Sequence, residues 1–108
     1  MGFIVSGGAT DPIVGLWDTG EGGKALMEKR TSGAYTFVAK VTQQGTWWTS
    51  RGITVGEEVW MLNKDPDGRY RGQVLVKGNF YWHMPFDVMI QGNQMIDNTG
   101  RLIATKIQ

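Results

Sequence analysis

The chain has 108 residues, with 11 basic and 10 acidic side chains for a formal net charge of +1, and it carries five tryptophans, 16 glycines and no cysteine. A chain of that length is one domain, large enough to bury a continuous core without a metal or disulfide staple. The near-zero charge argues against a field that recruits nucleic acid or anionic membrane, the missing thiols exclude disulfides and thiolate chemistry, and no stretch approaches the ~20 apolar residues of a membrane-spanning helix.

Residues 1–12 are expected to form a flexible N-terminal arm, because Ser6-Gly7-Gly8 is a typical flexible stretch and Phe3-Ile4-Val5 stands isolated before it. Met1 to Ser6 matches the short pattern for acylation of Gly2, a match of little information. The apolar triplet has an alternative use as an edge strand added to a neighbouring subunit. No basic segment followed by an apolar run and a cleavage site opens the chain, and with no cysteine the expected location is cytoplasmic.

Residues 13–108 read as a single β domain. Weak strand signals cover 13–18 and 26–30. A short helix is the alternative over 22–30, where Lys24, Ala25, Leu26, Met27 and Glu28 are good helix formers, but two glycine-rich turns bound the segment and no N-cap precedes it. The best strand is 34–42, with Tyr35, Phe37, Ala39 and Val41 on one face and Thr36, Val38, Lys40 and Thr42 on the other. Residues 47–50 form another weak strand, which puts the indole of one of Trp47 and Trp48 inward and the other outward. Residues 57–62 are β-branched or aromatic enough to be a strand. In 68–77, Tyr70, Gly72, Val74 and Val76 oppose Arg69, Arg71, Gln73, Leu75 and Lys77. Phe86, Val88 and Ile90 then alternate with polar neighbours, and 95–97 and 101–107 complete the set.

Turn signals such as Ser32-Gly33, Asp65-Pro66-Asp67-Gly68, Gly92-Asn93 and Asn98-Thr99-Gly100 separate these runs at about the 8–12-residue spacing of sandwiches and barrels. The predicted fold is therefore all-β, an antiparallel up-and-down meander of about eight strands closing into a small barrel, since closure removes exposed edges. A partly open barrel and a two-sheet sandwich are the alternatives.

Gly15-Leu16-Trp17 near the start of the first strand, followed by a meander and an arginine at the start of the last, resembles the lipocalin and wider calycin pattern, including small bacterial lipocalin-like domains. The resemblance runs over about residues 13–107. It implies that Gly15 and Trp17 sit at the closed end of a barrel, with Arg101 stacked across the indole. The chain lacks the C-terminal helix and the cysteine pair of typical lipocalins.

Little else encodes a reaction. His83 is the only histidine, so no His-His-carboxylate metal site can form within one subunit, and no metal or cofactor is expected. Gly20-Glu21-Gly22-Gly23-Lys24 lacks the spacing of a phosphate loop, and Asp65-Pro66-Asp67-Gly68 lacks the further ligands of a calcium loop. Glu57 and Glu58 point to opposite faces of a strand. Tryptophan next to basic residues at 47–51 has the composition of a nucleic-acid stacking platform, which the balanced charge weakens.

The expected function is binding of a small apolar or aromatic molecule inside the barrel, without catalysis, with Trp60, Tyr70, Trp82 and Phe86 as the wall. The main rival is a homo-oligomer formed through an aromatic face that includes Trp47 or Trp48, because an outward indole is costly to leave wet. An enzymatic reading requires Asp87 or Glu58 facing inward as a base, with Arg101 or Tyr70 as oxyanion donor.

Overall fold

The computed structural model describes residues 11–77 and 80–108. Among the described residues eight strands follow one another in space as they do in sequence and close into a barrel: β1 (Gly15–Asp18), β2 (Lys24–Lys29), β3 (Phe37–Gln43), β4 (Glu58–Lys64), β5 (Tyr70–Lys77), β6 (Tyr81–Gln91), β7 (Gln94–Asp97) and β8 (Leu102–Lys106). Every neighbouring pair is antiparallel. The up-and-down barrel expected from the alternation is the observed fold.

Because the strands alternate in direction, all links fall at two ends. The lower end carries the entry segment 11–14, the C-terminal residues and the β2–β3, β4–β5 and β6–β7 links. The upper end carries the other links, including a short helix α1 (Gly45–Ser50) between β3 and β4. The seam between first and last strands is short, with Trp17 opposite Lys106 and Asp18 opposite Thr105. Backbone bonds from Leu16 N to the Gln108 carbonyl (2.8 Å) and from Ile107 N to the Leu16 carbonyl (2.9 Å) lengthen it.

The interior is filled by alternate residues, among them Trp17, Ala25, Met27, Phe37, Ala39, Val41, Leu62, Tyr70, Val88, Met95 and Ala104, all buried. The segment 24–29 is strand, as preferred over the helix. The strand predicted from residue 34 begins at Phe37, because Asn63 takes over the backbone of the preceding residues: its Oδ1 accepts from Thr36 N (2.8 Å) and its Nδ2 donates to the Ala34 carbonyl (3.0 Å). A side chain there supplies the partners that a ladder would otherwise provide.

The strand expected over 47–50 is instead α1. That segment crosses the upper end between β3 and β4, where none of the described strands pairs with it, and a helical turn satisfies the backbone locally. The hydroxyls of Thr49 and Ser50 bond back to the Gly45 (2.5 Å) and Trp47 (2.8 Å) carbonyls. Leu75, expected on the outer face of β5, is fully buried in the cluster that holds Ile53 and Val59. The loop before β4 covers it, clamped by Lys77 Nζ to the Gly52 carbonyl (3.1 Å) and to Glu57 (3.0 Å).

Gly72, on the inner face between β4 and β5, has no room for a side chain. A Cβ there would collide with the Met61 carbonyl oxygen and sit 3.0 Å from Leu62 Cα, and both neighbours are backbone. Gly72→Ala is therefore expected to destabilise the barrel by about 1–3 kcal/mol. In the same urea titrations Gln73→Ala should stay within ~0.5 kcal/mol of the parent. Identical midpoints for the two variants would show that the β4–β5 contact can relax.

Candidate functional site

The two ends of the barrel are built differently. At the lower end the entry segment folds under the strands. Trp17 is fully buried and its indole N–H donates to the Ile13 carbonyl (2.8 Å), while Ile13 is itself fully buried. Tyr70 meets Phe37 edge to face with ring centroids 5.6 Å apart, and its hydroxyl donates to the Asp11 carboxylate. Lys64 Nζ reaches the same carboxylate at 3.4 Å.

Burial and then the neighbouring carboxylate push the Tyr70 hydroxyl well above the ordinary phenol range. Burial alone would raise the Asp11 carboxyl, but donation from Ile13 N, Tyr70 and Lys64 outweighs it and holds the group below its usual value. This is a plug, and it places Tyr70 away from any opening.

Gly15 and Trp17 thus stand beside the plug at the lower end, and Arg101, which the resemblance set across from them, does not. In an even-stranded up-and-down barrel the last strand starts at the end opposite to that where the first begins. Arg101, just before β8, is consequently at the upper end, its side chain 78 % exposed and 3.9 Å from Asp97. The cation near the plug is Lys106, whose Nζ donates to the Pro12 carbonyl at 3.0 Å. A Cβ on Gly15 would strike both the Lys106 stem and the Gln108 carbonyl, and its φ of 146° is one that side-chain-bearing residues avoid. Lys106, Asp11 and Ile13 carry no motif, and only the register that joins β1 to β8 reveals them.

The upper end is hollow. A cavity of about 570 Å³ is lined by Trp47 and Trp48 from α1, Trp60 from β4, Val74 and Val76 from β5, and Pro85, Phe86 and Asp87 from β6. Thr19, Glu21, Asp97, Asn98, Arg101, Leu102 and Ile103 complete the wall. Trp60 is the hinge of an aromatic row, stacked on Phe86 with centroids 6.2 Å apart and tilted against Trp48 at 6.3 Å.

Of the four residues expected to form the wall, Trp60 and Phe86 line this cavity. Tyr70 belongs to the plug. Trp82, opposite Val76 on β6 and hence on the same sheet face, lies beyond the cavity toward the hairpin tip, 40 % exposed and beside Phe80. Trp48 is buried under α1, and Trp47, 37 % exposed, is covered by the Arg51 guanidinium 3.9 Å from its ring. An oligomer built on this pair would have only Trp47 to offer. The helix folds the second indole into the core, a placement that strand alternation could not suggest.

Asp87 and Asp97, both on the cavity wall, are already engaged. Asp87 accepts from Arg69 Nε (2.6 Å) and Arg71 Nε (3.2 Å), and Arg71 also grips Asp65 and Asp67. Asp97 caps the β7–β8 turn, accepting from Thr99 and from Arg101 N. Glu58, the other proposed base, pairs with Arg30 (2.7 Å) outside the cavity. Among the described residues no three His, Cys, Asp or Glu side chains converge to hold a metal ion, and no helix is long and apolar enough to cross a membrane.

The plug gives a pH dependence of known sign. A carboxyl whose folded value is depressed contributes stability that is complete above its ordinary value near 4 and is lost as pH falls through the folded value. The stability difference between the parent and Asp11→Asn should therefore be largest at neutral pH and shrink as pH drops below ~4. A difference that stays constant down to pH 2 in denaturant titrations would remove the carboxylate from the plug.

Comparison with protein-family models, with curated proteins and with solved structures returns no match.

Proposed function

We propose that the chain is a non-catalytic, calycin-like carrier that binds one small planar aromatic molecule in the upper cavity. The observation that carries this reading is the cavity of about 570 Å³ with the row Trp48, Trp60 and Phe86 along one wall. That volume lies within the ~300–1,000 Å³ range of small-molecule sites, which are walled by apolar and aromatic groups with a few polar ones to fix orientation. Glu21, Asn98 and Arg101 are among the polar residues that line it.

The wall is rigid where it matters. Trp60 and Trp48 are each only 4 % exposed, so a guest meets rings already held by the core and loses little affinity to ordering them. A planar ring that extends the Trp60–Phe86 stack gains contact area together with the preferred offset geometry. The engaged state of Asp87 and Asp97 favours binding over proton transfer.

N-phenyl-1-naphthylamine, a neutral aromatic probe, is expected to quench or shift tryptophan emission saturably with one site per chain. Phe86→Ala should weaken binding about tenfold, the equivalent of ~1.4 kcal/mol. Trp82→Ala should leave the affinity unchanged. No saturable change with the parent, or equal affinity for Phe86→Ala, would refute the cavity as the binding site.

A further inference from the structure

We infer that the guest of the upper cavity carries an uncharged hydrogen-bond acceptor, a carbonyl oxygen or a ring nitrogen, which takes the place of water at the indole N–H groups of Trp48 and Trp60. The inference rests on the binding reading above and narrows its class: an aromatic ketone or a heteroaromatic ring, not an aromatic hydrocarbon.

An indole has one polar atom, a donor, and a buried indole ordinarily finds an acceptor for it. Trp17 does so, since it is fully buried and its N–H meets the Ile13 carbonyl at 2.8 Å. Trp48 and Trp60 are nearly as buried, each 4 % exposed, yet among the described residues Trp17 is the one tryptophan whose N–H has a protein acceptor.

The two nitrogens are not sealed in the core either. Among the described residues one side-chain nitrogen or oxygen of a buried or half-buried residue is both shut off from solvent and without a partner, and it is Arg69 Nη2. The Trp48 and Trp60 nitrogens therefore keep access to open space, and both rings border the cavity. Packing explains why the chain leaves them unpaired. Trp60 is held against Phe86 and Trp48 is tilted against Trp60, so their ring neighbours are aromatic faces, which offer no strong acceptor.

An accessible N–H is hydrated until a guest arrives. A guest that displaces this water without bringing an acceptor leaves the donor buried and unpaired, a larger loss than one ordinary bond returns. Charge selects the kind of acceptor. Glu21, Asp87 and Asp97 outnumber Arg101 along the wall, and Arg71 behind Asp87 is shared with Asp65 and Asp67. A carboxylate guest would meet excess negative charge there, whereas a carbonyl or a ring nitrogen would not.

Two measurements on the full chain test the inference. The first follows hydrogen exchange of the indole N–H signals by NMR, assigned with single Trp→Phe variants and with Trp17 as internal reference. Most of the N-terminal arm expected over residues 1–12, including Phe3-Ile4-Val5, lies outside the described residues, so the free chain is measured before any guest is added. Trp48 and Trp60 should exchange at least ~tenfold faster than Trp17. Equal protection of all three would place an acceptor of the chain itself on these donors and overturn the proposal.

The second compares fluorenone with fluorene, planar tricyclic molecules that differ by one carbonyl, as competitors of N-phenyl-1-naphthylamine. Fluorenone should bind at least ~fivefold more tightly and slow exchange at one or both of the two indoles. Trp60→Phe, which keeps a ring and removes the donor, should narrow that preference, and the comparison on the parent stands should the variant not fold. Fluorenone no tighter than fluorene overturns the acceptor and leaves the carrier intact, while saturable binding of neither, nor of the naphthylamine, overturns both.

Discussion

The bond from the Trp17 indole to the Ile13 carbonyl secures the point on which the barrel depends, the meeting of its first and last strands. β1 is only four residues long and pairs with β8 over two positions, so the ladder alone is a weak seam. Burying the indole stitches the entry segment beneath β1. With Gly15 allowing the Gln108 carbonyl to approach, the entry segment and the C-terminal residues are then held at one place. The plug built there, with Tyr70, Asp11 and Lys64 around it, fills the lower half and leaves any hollow to the upper half.

Strand length decides the rest. A meander of equal strands would close along its whole height and fill with side chains, as small barrels do. Here β5 and β6 outrun β4 and β7, so their hairpin rises past the rim. The β3–β4 connection supplies a partial roof through α1 and Trp48. The hollow between roof and hairpin is therefore a direct result of unequal strands.

Charge works locally in a nearly neutral chain. Arg71 bridges Asp65, Asp67 and Asp87, and Arg69 shares the last of these, which ties the β4–β5 turn to β6. Pairs this accessible to water contribute modestly to stability, by roughly 0–1 kcal/mol each. Their effect on the site is directional: they fix Asp87 on the cavity wall with both carboxylate oxygens occupied.

Two-residue alternation made the eight-strand architecture legible, because each strand has one face in the core and Phe37, Ala39 and Val41 or Tyr70, Gly72, Val74 and Val76 can be read as that face directly. Trp17 sits in the plug and Trp60 and Phe86 line the cavity, and each is an aromatic side chain on the inward face of a strand that alternation picks out. The errors share a cause, since they concern relations between segments far apart in sequence. Arg101 was set on the wrong end because direction reverses seven times between β1 and β8. Tyr70 and Val74 share one face of one strand, yet one is in the plug and the other on the cavity, because height along a barrel is set by stagger between neighbours and not by alternation. The helix at 45–50 pairs with none of the described strands, a property of space that no local pattern contains. The amino-acid order thus determined which residues turn inward; only the closed tertiary structure decided which inward residues pack solid and which surround a space.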